Sequence, residues 1–321
     1  MAGVDTVRAM RQRRLGSSGL TVSTLGLGTL TWGDAVDHDT AGDLLVAYHE
    51  AGGTLVDTAP TYGDGLAELW LGELLTSAVP REDLVVVSKA GLHWHVGERH
   101  VDSSRRGMLR SLEASLQRLR TDHVDVWLAH VWDPQMPLEE TLGALEYAVH
   151  SGRARYVGVS NYRGWQAARA FSILEQARIP LLMAQIESSL MARAMDEVLA
   201  AGNGLGFGVV GWAPLGRGVL TGKYRHGIPA DSRAASRSFP GFQQRFLTDR
   251  HRGLVEAAHI AARGLDVPAA SVALAWARDR DGMSAVLTGP RTLGQLRTAI
   301  DADSLTLPAE VRSALDDVSL G

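Results

Sequence analysis

The chain contains no cysteine. Disulfide bonds, thiolate nucleophiles, iron–sulfur clusters and cysteine-ligated zinc are therefore all excluded. Long apolar runs are missing too, because Gly, Asp, Arg or His interrupts every hydrophobic stretch before it reaches the length that spans a bilayer. The basic N-terminal residues are not followed by the apolar stretch and small-residue cleavage site of a secretory signal. These absences favour a cytoplasmic protein, with residues 1–13 as a solvated arm.

A large excess of charge is also absent. Lys and Arg total 32 against 36 Asp and Glu, which gives a formal net charge of −4. Nucleic acid or an anionic membrane would favour a strong basic excess, so we expect neither as a partner. Hydrophobic residues make up 45% of the 321 residues, enough for one sizeable core. We predict one domain over residues 14–321 that binds a small molecule, and the sequence leaves homo-oligomer formation open.

Short apolar runs alternate along the chain with longer segments of helical periodicity, which is the pattern of repeated βα units. A hairpin over residues 14–22 is predicted first. Eight strands follow it, at residues 23–28, 54–57, 84–88, 124–129, 154–158, 181–185, 207–211 and 284–288. Predicted helices include residues 40–50, 66–75, 103–119, 138–150 and 252–263. Because eight parallel strands with right-handed helical crossovers close into a cylinder, we predict a (β/α)₈ TIM barrel with an N-terminal β-hairpin and a long loop after strand 7.

A doubly wound open sheet is the alternative arrangement, and it requires a glycine-rich fingerprint in the first turn. The segment at the end of the first strand, residues 26–31, has Gly26 and Gly28 but lacks the third glycine, so the barrel is preferred. One connection, from Trp212 to about Thr248, is too long for a plain βα loop. Long loops in compact domains usually carry function.

Four polar residues stand at or just after predicted strand ends: Asp57, Tyr62, Lys89 and His130. In such barrels the loops that follow the strands converge at one end of the cylinder, where reactive groups collect. Each residue alone has a structural explanation, as a helix cap, an interface aromatic, a snorkelling cation or a core histidine. Together they form a chemical unit that barrel stability does not require, so we predict that they are catalytic.

These residue types suit the reduction of a carbonyl group. A hydride added to the carbonyl carbon places negative charge on the oxygen, so a donor must supply a proton. Tyr62 is the predicted donor; an ordinary phenol has a pKa near ~10, and we expect the ammonium of Lys89 to lower it. The carboxylate of Asp57 would keep Lys89 charged, and His130 would orient the carbonyl oxygen by hydrogen bonding.

Three motifs resemble those of the aldo-keto reductase family: VDTAPTYG at residues 56–63, VGVSNY at 157–162 and GWAPLGRG at 211–218. The likeness extends from about residue 15 to about residue 300. It implies that the four polar residues above take the family's catalytic positions, that no metal takes part, and that NADP(H) supplies or receives the hydride. The implied activity is reduction of a carbonyl compound, with aldehyde, ketone, sugar and steroid all open as substrates.

The resemblance also implies a cofactor cleft. Ser160, Asn161 and Gln185 match positions that bind the nicotinamide carboxamide, and Trp212 matches the aromatic on which the nicotinamide ring stacks. Arg291 matches a position that contacts the adenosine 2′-phosphate, which favours NADP(H) over NAD(H) because a guanidinium binds phosphate in a bidentate manner. The other implied cofactor-binding residues are Gly28, Thr29, Ala213, Pro214, Leu215, Gly216, Gly218, Lys223, Arg233, Gly289 and Gln295.

Three residues at two sites depart from the family pattern, and one segment supports a second hypothesis. Thr298-Ala299 stands where relatives commonly have Glu-Asn for the adenine, and Ser188 replaces a common tyrosine. Residues 222–234 are similar to potassium-channel β subunits, a branch of the same family that binds NADPH and works largely as a partner protein. The enzyme is preferred because His130, which would orient a carbonyl, is present and the chain has no channel-forming segment.

A histidine-rich segment supports a third class, the metal-dependent barrel hydrolases. His93, His95 and His100 lie close together in sequence after the third strand, and imidazole clusters bind metal ions. Lys89 would repel a dication, so we expect no metal here. We expect a loop in this region, with His93 and Trp94 on one side of the substrate pocket and Trp32 on the opposite side.

Overall fold

The strands fall into one closed barrel and two short hairpins. A computed structural model describes residues 9–95, 98–236 and 240–320. In chain order the strands are β1 (Gln12–Arg14), β2 (Thr21–Ser23), β3 (Leu25–Gly28), β4 (Leu55–Asp57), β5 (Val85–Ala90), β6 (Leu92–His95), β7 (Glu98–Val101), β8 (Val124–Ala129), β9 (Ala154–Ser160), β10 (Leu181–Glu187), β11 (Gly208–Trp212) and β12 (Met283–Thr288).

The barrel consists of β3, β4, β5, β8, β9, β10, β11 and β12. All neighbouring pairs in it are parallel, and the pairing of β12 with β3 closes the cylinder. Each barrel strand overlaps one of the eight strands expected from the sequence. The predicted (β/α)₈ TIM barrel is therefore confirmed.

Helices cover the outside of this barrel. Within the described residues they are α1 (His38–Glu50), α2 (Leu66–Ser77), α3 (Arg105–Leu119), α4 (Leu138–His150), α5 (Gly164–Gln176), α6 (Asp196–Leu205), α7 (Phe242–Phe246), α8 (Asp249–Leu265), α9 (Ala269–Arg278), α10 (Leu293–Ser304) and α11 (Ala309–Leu320). Side-chain oxygens cap the N-termini of four of them, at Asp37, Ser104, Thr248 and Thr292. No helix in the described ranges combines the length and the apolarity needed to cross a membrane.

An antiparallel hairpin, formed by β1 and β2, closes the N-terminal end of the barrel. Leu15 and Val22 are fully buried and pack with barrel-interior residues such as Val126 and Val210. The predicted hairpin is thus confirmed, although its first strand begins two residues earlier than expected.

The fold also begins earlier than the expected boundary at residue 14. Met10 is buried, and the backbone N–H of Arg11 donates to the carboxylate of Asp303 at 2.7 Å. The last residues of the predicted arm therefore belong to the domain, because they dock on the barrel. Residues 1–8 of that arm lie outside the described part of the chain.

The region after β5 differs from expectation. A loop was predicted there, but β6 and β7 form an antiparallel hairpin in which His93 lies opposite His100. The long connection after β11 was predicted as a loop. It contains a 3₁₀ turn at Gly216–Gly218 and the short helix α7, while its residues 237–239 lie outside the described ranges.

Candidate active site

Three neighbouring strands bring the four predicted catalytic residues to the carboxyl end of the barrel. Asp57 is the last residue of β4, and Tyr62 begins the 3₁₀ turn Tyr62–Gly65 that follows. Lys89 is in the last part of β5, and His130 directly follows β8. The backbone N–H of His130 donates to the carbonyl of Ala90 at 2.8 Å, which ties the end of β8 to the end of β5.

Lys89 is the centre of a fully bonded cluster. Its Nζ donates to Asp57 Oδ2 at 2.7 Å, to the carbonyl oxygen of Thr58 at 3.0 Å and to Tyr62 Oη at 3.1 Å. Gln185 Nε2 donates to the other oxygen of Asp57, Oδ1, at 2.6 Å. An ammonium has three hydrogens and no acceptor, so all three are used here and Tyr62 Oη must be the acceptor. The phenolic hydrogen of Tyr62 is therefore left to donate elsewhere.

The charge of Lys89 depends on this pairing. Its side chain is completely buried, and burial acts to lower the pKa of an ammonium. The neighbouring Asp57 and Tyr62 oxygens act in the opposite direction and prevail, so the pKa of Lys89 is raised above its ordinary value. Lys89 is thus a buried cation at neutral pH.

The pKa of Tyr62 differs from the sequence-based expectation. Burial raises the pKa of this phenol, and the effect is greater than the lowering by the Lys89 charge, so the net direction is upward rather than downward. The negative charge of Asp57 contributes to the same rise. The sequence predicted the lowering by Lys89 but not the burial that outweighs it. Tyr62 is consequently a protonated phenol at neutral pH.

His130 is buried beside the phenol. Its ring makes an edge contact with the ring of Tyr62, with 6.3 Å between centroids, and its Nδ1 has no hydrogen-bond partner among the described residues. Burial, together with the positive charges of Lys89 and Arg99, lowers the pKa of His130 well below its ordinary value. The imidazole is therefore neutral at pH 7 and has both a donor and an acceptor nitrogen.

The residues predicted to bind the carboxamide adjoin this cluster. Asn161 has a left-handed backbone, with φ of 59°, and its Nδ2 donates to the carbonyl of His130 at 2.9 Å and to Ser160 Oγ at 3.1 Å. Trp212 Nε1 donates to Asn161 Oδ1 at 3.2 Å. With Gln185 bonded to Asp57, the structure brings these four predicted residues into one network with the catalytic candidates.

Cations gather on the segment after β11 and on the loop after β12. Partial burial and the charges of Arg291 and Arg233 lower the pKa of Lys223. Burial and the charges of Arg217 and Arg291 likewise lower the pKa of Arg233. Mutual repulsion of this kind is relieved when an anion binds. The structure therefore brings the predicted Lys223, Arg233 and Arg291 together.

Two hydroxyl groups in the same region have no partner. The Oγ of Ser232 and the Oη of Tyr224 are buried without a hydrogen bond among the described residues. Buried donors without partners are costly, so such groups commonly bind a ligand or water. Unsatisfied hydroxyl donors beside a cation cluster fit the phosphate groups of a dinucleotide.

The other predicted cofactor residues lie at or after the ends of β3, β11 and β12. Gly28 and Gly289 approach closely, because a Cβ built on Gly289 would lie 3.6 Å from the carbonyl oxygen of Gly28. Gln295 Oε1 accepts from the backbone N–H of Arg291 at 2.9 Å, and Thr29 Oγ1 donates to the carbonyl of Asp57 at 3.1 Å. Ala213, Pro214, Leu215, Gly216 and Gly218 form the turn that follows β11, in which Ala213, Gly216 and Gly218 have positive φ.

The three predicted substrate-pocket residues differ in exposure. Trp32 is completely buried in the apolar core and exposes nothing to the mouth, so its role stays a prediction. His93 stacks on His100 with 5.5 Å between ring centroids, whereas Trp94 is 53% exposed. No group of three or more His, Asp or Glu side chains in the described ranges has the arrangement to hold a metal ion; the side chain of His95 lies outside them.

The two departures from the family pattern have local partners in the fold. Ser188 Oγ accepts from Arg280 Nη1 at 3.1 Å. Thr298 Oγ1 donates to the backbone carbonyl of Gly294 at 3.0 Å, and Ala299 is buried. Thr298 and Ala299 therefore offer no free polar group to an adenine, whereas the usual Glu-Asn pair would.

Two residues of this region were missed by sequence reasoning. Arg217 lies over the ring of Trp212, with its guanidinium carbon 5.1 Å from the centroid, and pairs with Glu187 at 3.0 Å. Glu187 comes two residues after Gln185 on β10, so the alternation of side chains along a strand could have placed the two on one face.

The comparison with known families agrees with this geometry. A protein-family model, described as the Aldo/keto reductase family, matches residues 24–320, nearly the whole chain. The chain therefore belongs to the aldo/keto reductase family, a class of oxidoreductases for which carbonyl reduction with a nicotinamide cofactor is implied.

Proposed function

We propose that this protein reduces aldehydes or ketones to alcohols with NADP(H), using Tyr62 as the proton donor. The observation that carries the proposal is the direction of the hydrogen bonds around Lys89. Because Tyr62 Oη accepts from the ammonium, its own hydrogen is available to a second acceptor. A carbonyl oxygen placed at the mouth is such an acceptor.

The reaction needs a proton at the oxygen when a hydride reaches the carbon, and the nicotinamide supplies that hydride when bound. The carbonyl carbon gains the hydride, the oxygen gains the proton of Tyr62, and the product is an alcohol. Lys89 stabilises the phenolate left behind, and Asp57 keeps Lys89 charged. The neutral His130 can donate a hydrogen bond to the carbonyl oxygen and fix its position.

The cofactor residues are proposed from the groups that surround the mouth. Asn161, Gln185 and Trp212 would hold the nicotinamide end, since they form one network with the catalytic candidates. The cation cluster with the unpartnered Ser232 hydroxyl would hold phosphate groups. A cation cluster of this size suits the extra phosphate of NADP(H) better than the uncharged ribose of NAD(H).

The test is a panel of aldehydes and ketones monitored by the loss of NADPH absorbance, with and without a chelator. We expect turnover that persists in the chelator. We expect Tyr62→Phe to lower kcat by about 10²–10⁴-fold, because general acid catalysis contributes that much. The Kd for NADPH, measured by quenching of tryptophan fluorescence, should stay unchanged. Comparable turnover in Tyr62→Phe would refute the assignment of the acid, and a panel without any turnover would favour the NADPH-binding partner subunit.

Cofactor choice is tested at Arg291. Arg291→Ala should raise the Kd for NADPH by about tenfold or more and leave the Kd for NADH nearly unchanged, because only NADPH carries the 2′-phosphate. Arg297→Ala is the matched control, since this arginine is exposed on α10 in the next turn. An equal loss of affinity for NADPH and NADH in Arg291→Ala would contradict recognition of the 2′-phosphate by this residue.

A further inference from the structure

The hairpin formed by β6 and β7 rises from the edge of the candidate active site. It follows β5 after a single residue, Gly91, and the N–H of Asp102 donates to the Gly91 carbonyl at 3.1 Å to close its base. The residue before that, Ala90, accepts from the backbone N–H of His130. The base of the hairpin is therefore fixed within a few ångströms of the backbone that carries His130.

The register divides the side chains of the hairpin between two faces. Trp94 lies opposite Arg99, and His93 lies opposite His100. Directly opposite residues of an antiparallel pair share a face, and successive residues alternate. Trp94 and Arg99 are thus together on one face, while the stacked His93 and His100 rings occupy the other.

Arg99 carries the positive charge on the face that it shares with Trp94. The positive charge of Arg99 acts on the ring of His130 and adds to the lowering of its pKa. Because the base of the hairpin adjoins the backbone of His130, Arg99 lies at the rim of the candidate site. Trp94, which shares this face, keeps 53% of its surface exposed, as expected for a side chain that faces an open space.

Among the described residues, none compensates the charge of Arg99. Lys89, the other cation that acts on His130, is paired with Asp57 at 2.7 Å. Arg99 forms no ion pair and no hydrogen bond with any part of the chain that the structure describes. Within the described part of the chain, Arg99 is therefore an exposed cation at the rim of the site without a counter-charge.

We propose that Arg99 binds a carboxylate on the substrate, so that the preferred substrates are carbonyl compounds with a carboxylate a short distance from the reacting carbonyl. The ring of Trp94 covers the apolar part between the two groups. This inference rests on the proposed function, because it assigns the specificity of the same site. An arginine is suited to this role, since its guanidinium forms two parallel hydrogen bonds with a carboxylate.

The test uses two aldehydes of nearly equal shape. In 4-carboxybenzaldehyde a benzene ring separates the aldehyde from a carboxylate, and in methyl 4-formylbenzoate the same position is uncharged. We expect the wild-type protein to have the lower KM for the carboxylate. Arg99→Gln should raise the KM for 4-carboxybenzaldehyde by about tenfold or more, since a charge-assisted hydrogen-bond pair is lost. Its kcat/KM for the ester should change by less than about twofold.

Two further variants identify the cause of any change. Arg110→Gln removes an exposed charge from α3 and should leave the KM for both aldehydes unchanged. Trp94→Ala should raise the KM for both aldehydes alike, because it removes an apolar contact. Added NaCl should reduce the preference for the carboxylate in the wild-type protein and have no such effect in Arg99→Gln.

The outcomes separate this inference from the function on which it rests. Two outcomes would overturn the role of Arg99 and leave the proposed reductase activity intact. One is an equal KM for both aldehydes in the wild-type protein, and the other is an equal loss of kcat/KM for both in Arg99→Gln. A raised Kd for NADPH in Arg99→Gln would instead place Arg99 at the cofactor and would also overturn the proposal. Absence of turnover with either aldehyde, and with the wider panel, would contradict the proposed function itself.

Discussion

A buried ammonium is costly unless a negative charge accompanies it, and this rule governs Lys89 and Asp57. Both side chains are almost completely buried. The ammonium of Lys89 donates to Asp57 and to a backbone carbonyl, and the second carboxylate oxygen of Asp57 accepts from Gln185. Removing one member of such a pair leaves an uncompensated charge in a low-dielectric surrounding. The stability of the fold and the chemistry of the site are therefore coupled at these two residues.

We predict that Lys89→Met lowers the free energy of unfolding by about 3–5 kcal/mol, because Asp57 is left charged and unpaired. The double variant Asp57→Asn/Lys89→Met should recover part of that loss, since no buried charge remains, and should still lack reductase turnover. Urea unfolding followed by circular dichroism measures both variants.

The matched control for this pair is at the surface. Arg169 and Glu139 form an ion pair at 3.0 Å in which both side chains are more than half exposed, so Arg169→Met should change the unfolding free energy by less than about 1 kcal/mol. A double variant that is less stable than Lys89→Met would contradict the explanation based on buried charge.

At this scale the sequence predicted which residues meet, but not how they are bonded. Strand-end positions were sufficient to bring Asp57, Tyr62 and Lys89 together, because parallel strands of a barrel end at one rim. The upward direction of the Tyr62 pKa depends on how deeply the ring is enclosed. That enclosure comes from loops whose conformation a single sequence does not determine.

At the scale of elements, each helix that was named from the sequence is present in the structure, whereas the β6–β7 hairpin was expected as a loop. Helix α4 was predicted with the bounds that the structure has, Leu138–His150, because its apolar positions recur on one face. Helix α9 was not among the helices listed from the sequence. All but one of its ten residues are buried, Arg278 included, so it lacks the exposed polar face that usually marks a surface helix. The β6–β7 hairpin was also missed, although its first strand, LHWH, alternates apolar and polar residues as a half-buried strand does, so this signal could have indicated it.

The packing of α2 on α3 depends on one glycine, and this gives a prediction for the elements. A Cβ built on Gly72 would lie 2.3 Å from the carbonyl oxygen of Arg118 and 2.7 Å from the carbonyl carbon of Leu119. Both atoms belong to the backbone and cannot rotate away. We predict that Gly72→Ala lowers the free energy of unfolding by about 1–3 kcal/mol, as overpacking does, despite the better helix propensity of alanine.

The control for this substitution is Gly253 in α8, where a Cβ would meet nothing within 4 Å. Gly253→Ala should raise stability by up to about 1 kcal/mol through helix propensity alone. Thermal unfolding compares the two variants directly. If Gly72→Ala were as stable as Gly253→Ala, the close contact between α2 and α3 would not be a constraint on the fold.

At the scale of the whole molecule, the two ends of the barrel differ in what they contribute. The carboxyl end carries the polar cluster, the cation cluster and the β6–β7 hairpin. The amino end is closed by the β1–β2 hairpin, whose Leu15 and Val22 pack with apolar residues of the barrel interior such as Val126 and Val210. Barrels of this architecture commonly separate stability from chemistry in this way.

A substitution at Leu15 tests whether the stability of the amino end is independent of the chemistry at the carboxyl end. The Leu15 side chain is fully buried between the hairpin and the barrel interior, so Leu15→Ala leaves a cavity that the surrounding strands can only partly fill. We predict a loss of about 2–5 kcal/mol in the free energy of unfolding, measured by urea titration. The kcat and KM of the folded fraction, measured well below the unfolding midpoint, should match those of the wild-type protein, because the polar cluster lies at the opposite end. A change in kcat that exceeds the change in folded fraction would show that the two ends are mechanically coupled, and the division between a structural end and a reactive end would then be wrong.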